Sequence, residues 1–227
     1  MTTAVLIVAA GRGRRLGDPL PKQYLPVGGI SSLRRCLDRF LGLDVIDRVQ
    51  VVFHPDDQSL YDAAVGGLSD PRLSAPVPGG ETRAASVLQG LLALGEAGTV
   101  PRKVLVHDAA RPFVSHRIIT EVIAALENSP AAFAALPVVD ALWRVSDGAA
   151  DVPVPRDGLW RAQTPQGFHF DALLAAHRAH GGDAADDVEI ARAAGLTARV
   201  VPGEEENFKI TSPGDLARAE ALVLQGW

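Results

Sequence analysis

Apolar positions along this chain fall into two alternating patterns. Short continuous runs occupy residues 4–9, 49–53, 103–107 and 134–139, each four to eight residues long and rich in strand-forming side chains. Between them lie segments whose apolar residues recur at helical spacing, such as Leu88, Leu91 and Leu92, or Ile118, Ile119, Val122, Ile123 and Leu126. An unbroken apolar strand is one covered on both faces. The alternation therefore predicts an α/β fold with a mostly parallel twisted sheet and helices on both sides. Near the end, Ser212-Pro213-Gly214-Asp215 predicts a helix start, with Ser212 as cap and proline at the first helical position. Leu216, Ala219 and Val223 would form the buried stripe of that helix.

Residues 140–158 break the alternation. Ser146-Asp147-Gly148 carries turn chemistry, and Pro153 and Pro155 forbid a helix. The segment predicts a projecting β-hairpin arm. Since an isolated hairpin is marginal in water, the arm needs a surface to pack on, and a second subunit supplies one. No repeat, low-complexity tract or linker marks a second domain, so residues 1–227 are expected to form one.

Composition narrows the class. With 47% hydrophobic residues in 227, the chain can bury a large core. Its net charge of −5 argues against general binding to nucleic acid or membrane surfaces. The single cysteine, Cys36, sits among Leu33, Leu37, Phe40 and Leu41 at helical spacing and is expected in the core; no disulfide can form within the chain, which suits a reducing cytoplasm. No charged leader followed by an apolar segment opens the sequence, and no apolar run approaches the length of a membrane span. A cytoplasmic protein is expected.

Against that acidic background, residues 8–22 hold four cations and one acid in a glycine loop that leaves the first strand. Gly11 and Gly13 permit positive φ and free backbone N–H groups to meet an anion. Arg15 and Lys22 add full charges, each worth roughly 4 kcal/mol at contact before desolvation. The combination suits a polyphosphate. It is neither a dinucleotide fingerprint, which would need a small residue at Leu16, nor a Walker loop, which would need Gly-Lys-Ser/Thr.

Other candidate groups also fall at strand ends. Asp108, in His107-Asp108-Ala109-Ala110-Arg111-Pro112, is either a Mg²⁺ ligand beside bound phosphates or a residue that caps the next segment or pairs with Arg111. His107 is expected to be structural. Gly79-Gly80-Glu81-Thr82-Arg83-Ala84-Ala85-Ser86 could meet the edge of a base, although from these residues alone a strand-to-helix turn is the better explanation. Lys209 is bracketed by apolar residues, as if aimed at a target. Trp160 to Phe168 is expected to hold a proline-fixed turn after the arm, and Asp186 and Asp187 are explained by helix capping.

Taken together, the segments Ala9-Ala10-Gly11-x-Gly13-x-Arg15, Pro21-Lys22-Gln23-Tyr24, Gly79-Gly80-x-x-Arg83-x-x-Ser86, His107 to Pro112, Gln163-Thr164-Pro165-Gln166 and Asn207-x-Lys209 resemble, in order and spacing, the 2-C-methyl-D-erythritol 4-phosphate cytidylyltransferases. That resemblance implies a Rossmann-like nucleotidyltransferase whose arm exchanges within a homodimer. It also implies transfer of CMP from CTP to a polyol phosphate in the non-mevalonate route to isoprenoids. Arg15, Lys22 and Lys209 would be catalytic. Ala9, Ala10, Gly11, Gly13, Gly80, Glu81, Ser86 and Asp108 would bind the nucleotide, with Asp108 also on Mg²⁺. Arg156 of the partner's arm, with Arg111 and Thr164, would hold the acceptor.

The chain departs from the family pattern at two hydroxyls. Ala141 stands where a threonine is usual at the arm's base, and Ala185 stands where another usually precedes the paired acids. Arg156 and Thr164 would then carry acceptor phosphate binding alone. Rival readings are a cytidylyltransferase for another polyol phosphate such as ribitol 5-phosphate, a nucleotide-binding regulator without turnover, and a sugar-nucleotide pyrophosphorylase.

Overall fold

The computed structural model describes residues 2–12, 20–96 and 98–227. In chain order its elements are β1 (Thr3–Ala9), β2 (Pro26–Val27), β3 (Ile30–Ser31), α1 (Ser32–Leu41), β4 (Arg48–Phe53), α2 (Gln58–Val65), β5 (Val77–Pro78), α3 (Arg83–Glu96), β6 (Lys103–Asp108), α4 (His116–Ala125), β7 (Ala131–Pro137), β8 (Leu142–Ser146), β9 (Ala149–Val154), β10 (Trp160–His169), α5 (Phe170–Ala179), α6 (Asp187–Ala193), β11 (Ala198–Pro202) and α7 (Pro213–Leu224). Seven strands make the central sheet in the order β11-β7-β10-β6-β1-β4-β5. β10 runs antiparallel to β6 and β7, and the other pairings are parallel.

The apolar runs are continuous because both faces of the sheet are covered. Val5 and Ile7 of β1 point to one side with Val49, Val51 and Leu105, against Leu33, Leu37 and Phe40 of α1 and Ile118 and Val122 of α4. Ala4 and Leu6 point to the other with Val52, Val104 and Val106, against Val87 and Leu91 of α3 and Phe170 and Leu173 at α5. Cys36 is buried in the first of these layers, where burial pushes its thiol pKa up.

Helix starts follow local chemistry. Ser31 accepts the N–H of Arg34 at 3.2 Å, and Ser115 accepts that of Ile118 at 3.2 Å. At α7 the expected cap is a reciprocal box: Ser212 accepts from the Asp215 N–H at 3.2 Å, and the Asp215 carboxylate accepts from the Ser212 N–H at 2.8 Å. Ala219 is fully buried there, with Leu216 and Val223 packed partly against Val27, Phe113 and Ile210.

Two expectations change. The segment around Thr164 is no turn but the interior of β10, whose pairing with β7 shifts register between Ala162 and Gln166; the proline sits at that irregularity, one of the few places a sheet tolerates it. The strand expected at 134–139 begins at Ala131 and ends at Pro137, because the low strand propensity of Ala131 and Ala132 is overridden by pairing with β10 and β11. The arm is a two-stranded sheet of β8 and β9, turned at Asp147 and Gly148 with φ of 51° and 80°, as a tight hairpin requires. Trp143, Val145 and Val152 on it are exposed. Among the described residues no helix is long and apolar enough to cross a membrane.

Because the α7 cap is reciprocal, Ser212→Ala should cost about 1 kcal/mol of stability, measured by urea unfolding.

Candidate active site

Strand order creates the cleft. β1 and β6 are neighbouring central strands from which the chain leaves in opposite directions across the sheet, toward β4 and toward β7, and open α/β sheets bind ligands at the carboxyl ends of such strands. A cleft of about 290 Å³ lies there, lined by Ala10, Gly11, Arg12, Lys22, Gln23 and His54 on one side and by Gly80 to Arg83, Ser86, Asp108 to Ala110 and Lys209 on the other.

The first glycine loop is held from below and from the side. Gln23, 2% exposed, donates through Nε2 to the carbonyls of Ala9 at 2.6 Å and Gly11 at 3.1 Å. Arg12 reaches across to the turn after β4, with Nη2 2.7 Å from Asp56 and Nη1 3.0 Å from buried Asp57. Gly11 does not adopt a positive φ, and among the described residues a Cβ there would meet nothing within 4 Å.

The second glycine turn packs directly on the first loop. A Cβ on Gly79 would lie 2.5 Å from that of Ala10 and 2.8 Å from the Ser86 hydroxyl. Ser86 accepts the Gly80 N–H at 3.1 Å and donates to the Thr82 carbonyl at 2.9 Å, so its hydroxyl shapes the turn while facing the cleft.

Asp108 forms the floor. Its carboxylate lies 2.7 Å from Lys209 Nζ, 3.5 Å from Arg83 Nε and 3.8 Å from Arg111 Nε. Burial alone would raise its pKa, but Lys209, Arg83 and Arg111 together hold it well below the usual carboxylate range. Arg83 in turn pairs with fully buried Asp187 at 2.7 Å, and Asp187 accepts from His177 Nε2 at 3.0 Å.

Buried residues of β10 staple these pieces together. Gln163 donates to the Glu204 carbonyl at 2.7 Å and accepts from Asn207 at 3.2 Å. Gln166 accepts from the Asp187 N–H at 3.0 Å and donates to Asp186 at 2.9 Å. Between them, the Thr164 hydroxyl lies 3.1 Å from the Asp108 N and 3.0 Å from His107 Nδ1, while His107 Nε2 lies 3.0 Å from the Arg111 carbonyl. A carbonyl can only accept, so Nε2 carries the hydrogen. With the ring neutral, Nδ1 is bare and the Thr164 hydroxyl donates to it. Desolvation accounts for that neutrality, since it pushes the imidazole pKa down to about 4.

Among the described residues no group of three or more His, Cys, Asp or Glu side chains converges on a metal position. A Mg²⁺ ion that takes one carboxylate and completes its shell with phosphates and water fits Asp108, whose Oδ1 has Arg83 at 3.5 Å while Oδ2 is occupied by Lys209.

The family model of 2-C-methyl-D-erythritol 4-phosphate cytidylyltransferase matches residues 3–225. The chain belongs to that family. A relative of that name from Cereibacter sphaeroides is 50% identical over 223 residues, covering 98% of this chain and 97% of its own. A bifunctional enzyme IspD/IspF from Rhodobacter capsulatus is 50% identical over 98% of this chain and 56% of its own. The crystal structure of 2-C-methyl-D-erythritol 4-phosphate cytidylyltransferase from Thermus thermophilus matches with a TM-score of 0.78 and 38% identity, over 99% of this chain and all of that one.

Of the residues expected to serve a cytidylyltransferase, Ala10, Gly11, Lys22, Gly80, Glu81, Ser86, Asp108 and Lys209 meet in the cleft. Ala9 lies just beneath it. Gly13 and Arg15 lie outside the described residues. Arg111 is committed below the floor, donating to the Asn207 carbonyl at 2.8 Å. Arg156 is exposed on the arm, bonded to the Val139 carbonyl, and does not line this chain's cleft. Thr164 is buried next to Asp108, its hydroxyl donating to His107 Nδ1 at 3.0 Å and accepting the Asp108 N–H at 3.1 Å. Capping explains Asp186, which accepts from the Glu189 N–H at 2.9 Å, but not Asp187.

Arg83, Gln23 and Arg12 carry no individual role in the sequence reading. One signal was present for Arg83: a cation at the first residue of a helix opposes the helix dipole and needs a partner of its own.

The buried histidine gives a pH prediction. Unfolded, its imidazole binds a proton near pH 6.5, and folded only near 4. In that window the unfolded state holds more protons, so this contribution is fully present above pH 6.5 and is lost as pH falls toward 4. Urea unfolding of the native protein should therefore lose on the order of 3 kcal/mol more than His107→Gln between these limits.

Proposed function

We propose that this cleft transfers CMP from CTP to 2-C-methyl-D-erythritol 4-phosphate, releasing pyrophosphate and forming 4-diphosphocytidyl-2-C-methyl-D-erythritol, a step of non-mevalonate isoprenoid biosynthesis carried out in the cytoplasm. The observation that carries the reading is the pairing of two glycine loops with Lys22, Lys209 and Asp108 in one cleft of a chain that matches this family almost end to end.

The acceptor's phosphate oxygen is already anionic, so no side chain has to remove a proton. That oxygen bonds to the α-phosphorus as the bond to the α–β bridging oxygen breaks, and pyrophosphate carries away the electron pair. The protein's task is to bring two anions together and balance the charge gathered at the reacting phosphorus. Lys22 and Arg15 hold the triphosphate, and Lys209, anchored on Asp108, reaches the reacting phosphates. The Gly79-Gly80 turn with Glu81 and Ser86 receives cytosine and ribose. Asp108 would hold Mg²⁺, which supplies further neutralisation of the triphosphate.

Arg156 grips the acceptor phosphate from the partner's arm. Support for this arrangement is that the arm exposes Trp143, Val145 and Val152 and that Arg156 is not among the residues lining the cleft of its own chain.

CTP with this acceptor should release pyrophosphate, and ribitol 5-phosphate should not replace the acceptor. Lys209→Ala should lower kcat by on the order of 10²-fold; an unchanged kcat would remove Lys209 from the mechanism. Mixing Lys22→Ala and Arg156→Ala subunits should restore activity, because one site of the hybrid keeps both groups. No recovery, with hybrids verified by native mass spectrometry, counts against arm exchange.

A further inference from the structure

The partners around the floor of the cleft are unequally shared. Asp108 has one tight cation, Lys209 at 2.7 Å, and two loose ones, Arg83 at 3.5 Å and Arg111 at 3.8 Å. Arg83 has its tight partner elsewhere, in Asp187 at 2.7 Å. Asp187 is fully buried and fixed from two further sides, by His177 Nε2 at 3.0 Å on its other oxygen and by the Gln166 side chain on its N–H. The guanidinium is thus drawn toward α6 and away from the cleft floor. Without the charge on Asp187, the nearest anion for Arg83 is Asp108 itself. A direct pair there would take the carboxylate oxygen that Lys209 leaves open.

We infer that Asp187 is a positioning residue that acts through Arg83, keeping Asp108 available to the substrate-bound metal and to Lys209. The inference rests on the proposed reading of the cleft. It accounts for an arginine at the start of α3 and for a second acid beyond the helix cap at α6, neither of which the transfer chemistry uses directly.

Charge removal in two steps separates this from a role in folding alone. Asp187→Asn releases Arg83 toward Asp108, whereas Arg83→Gln/Asp187→Asn removes the cation that would collapse. Binding of Mn²⁺–CTP is measured by calorimetry in the absence of acceptor, at a temperature where circular dichroism shows each variant folded, alongside kcat. Asp187→Asn should weaken Mn²⁺–CTP binding at least tenfold, and the double variant should bind at least threefold more tightly than Asp187→Asn. Native binding by Asp187→Asn, or a double variant as weak as the single, overturns the inference. If Asp187→Asn does not fold, His177→Ala decides: loosening Asp187 should weaken Mn²⁺–CTP binding at least threefold, and an unchanged affinity overturns the inference. Failure of the native protein to turn over CTP with acceptor would reject the proposed function instead, since it leaves the order of these affinities untouched.

Discussion

Asp108 has 8% of its surface exposed, and an ionised carboxylate so far out of water is costly unless cations and hydrogen bonds replace its hydration. Three cations from three different elements supply that replacement: Arg83 from the start of α3, Arg111 from the turn after β6, and Lys209 from the segment before α7. Each approaches from another direction, so the carboxylate fixes where all three converge. Satisfying this one buried charge gathers the cleft, and the same charge keeps Lys209 extended at the site instead of in solvent.

The backbone that bears these groups is pinned by β10. Gln163, Thr164 and Gln166 direct their polar atoms to the 204–207 turn, to Asp108 and to the start of α6. Three segments distant in sequence are therefore registered against one strand. An antiparallel strand inside a largely parallel sheet makes this possible, because it runs past the carboxyl end of β6 instead of stopping there.

Much of this was readable in advance. Continuous apolar runs gave the sheet, helical spacing gave its covering layers, and the Ser212 to Asp215 pattern gave a cap that the structure reproduces atom for atom. These features are local and depend on short-range periodicity. The glycine loops, Lys22, Asp108 and Lys209 were likewise visible, since unusual residues at strand ends mark ligand sites. What stayed hidden was set by partners far away in sequence. Trp160 to Phe168 reads as holding a turn because Pro165 is a poor strand residue, and only pairing with β6 and β7 makes it a strand. Asp187 looked like a second capping acid because its partners, Arg83 and His177, come from other helices.

The close approach of the two glycine loops also governs how this site can diversify. Gly79 faces Ala10 and Gly80 faces Ala85 at distances that no side chain can enter without moving the backbone. Glu81 and Thr82, the next two positions, are exposed. Side-chain change along the turn is thus easiest at Glu81, since the Thr82 hydroxyl caps α3 by accepting the Ala85 N–H at 3.1 Å.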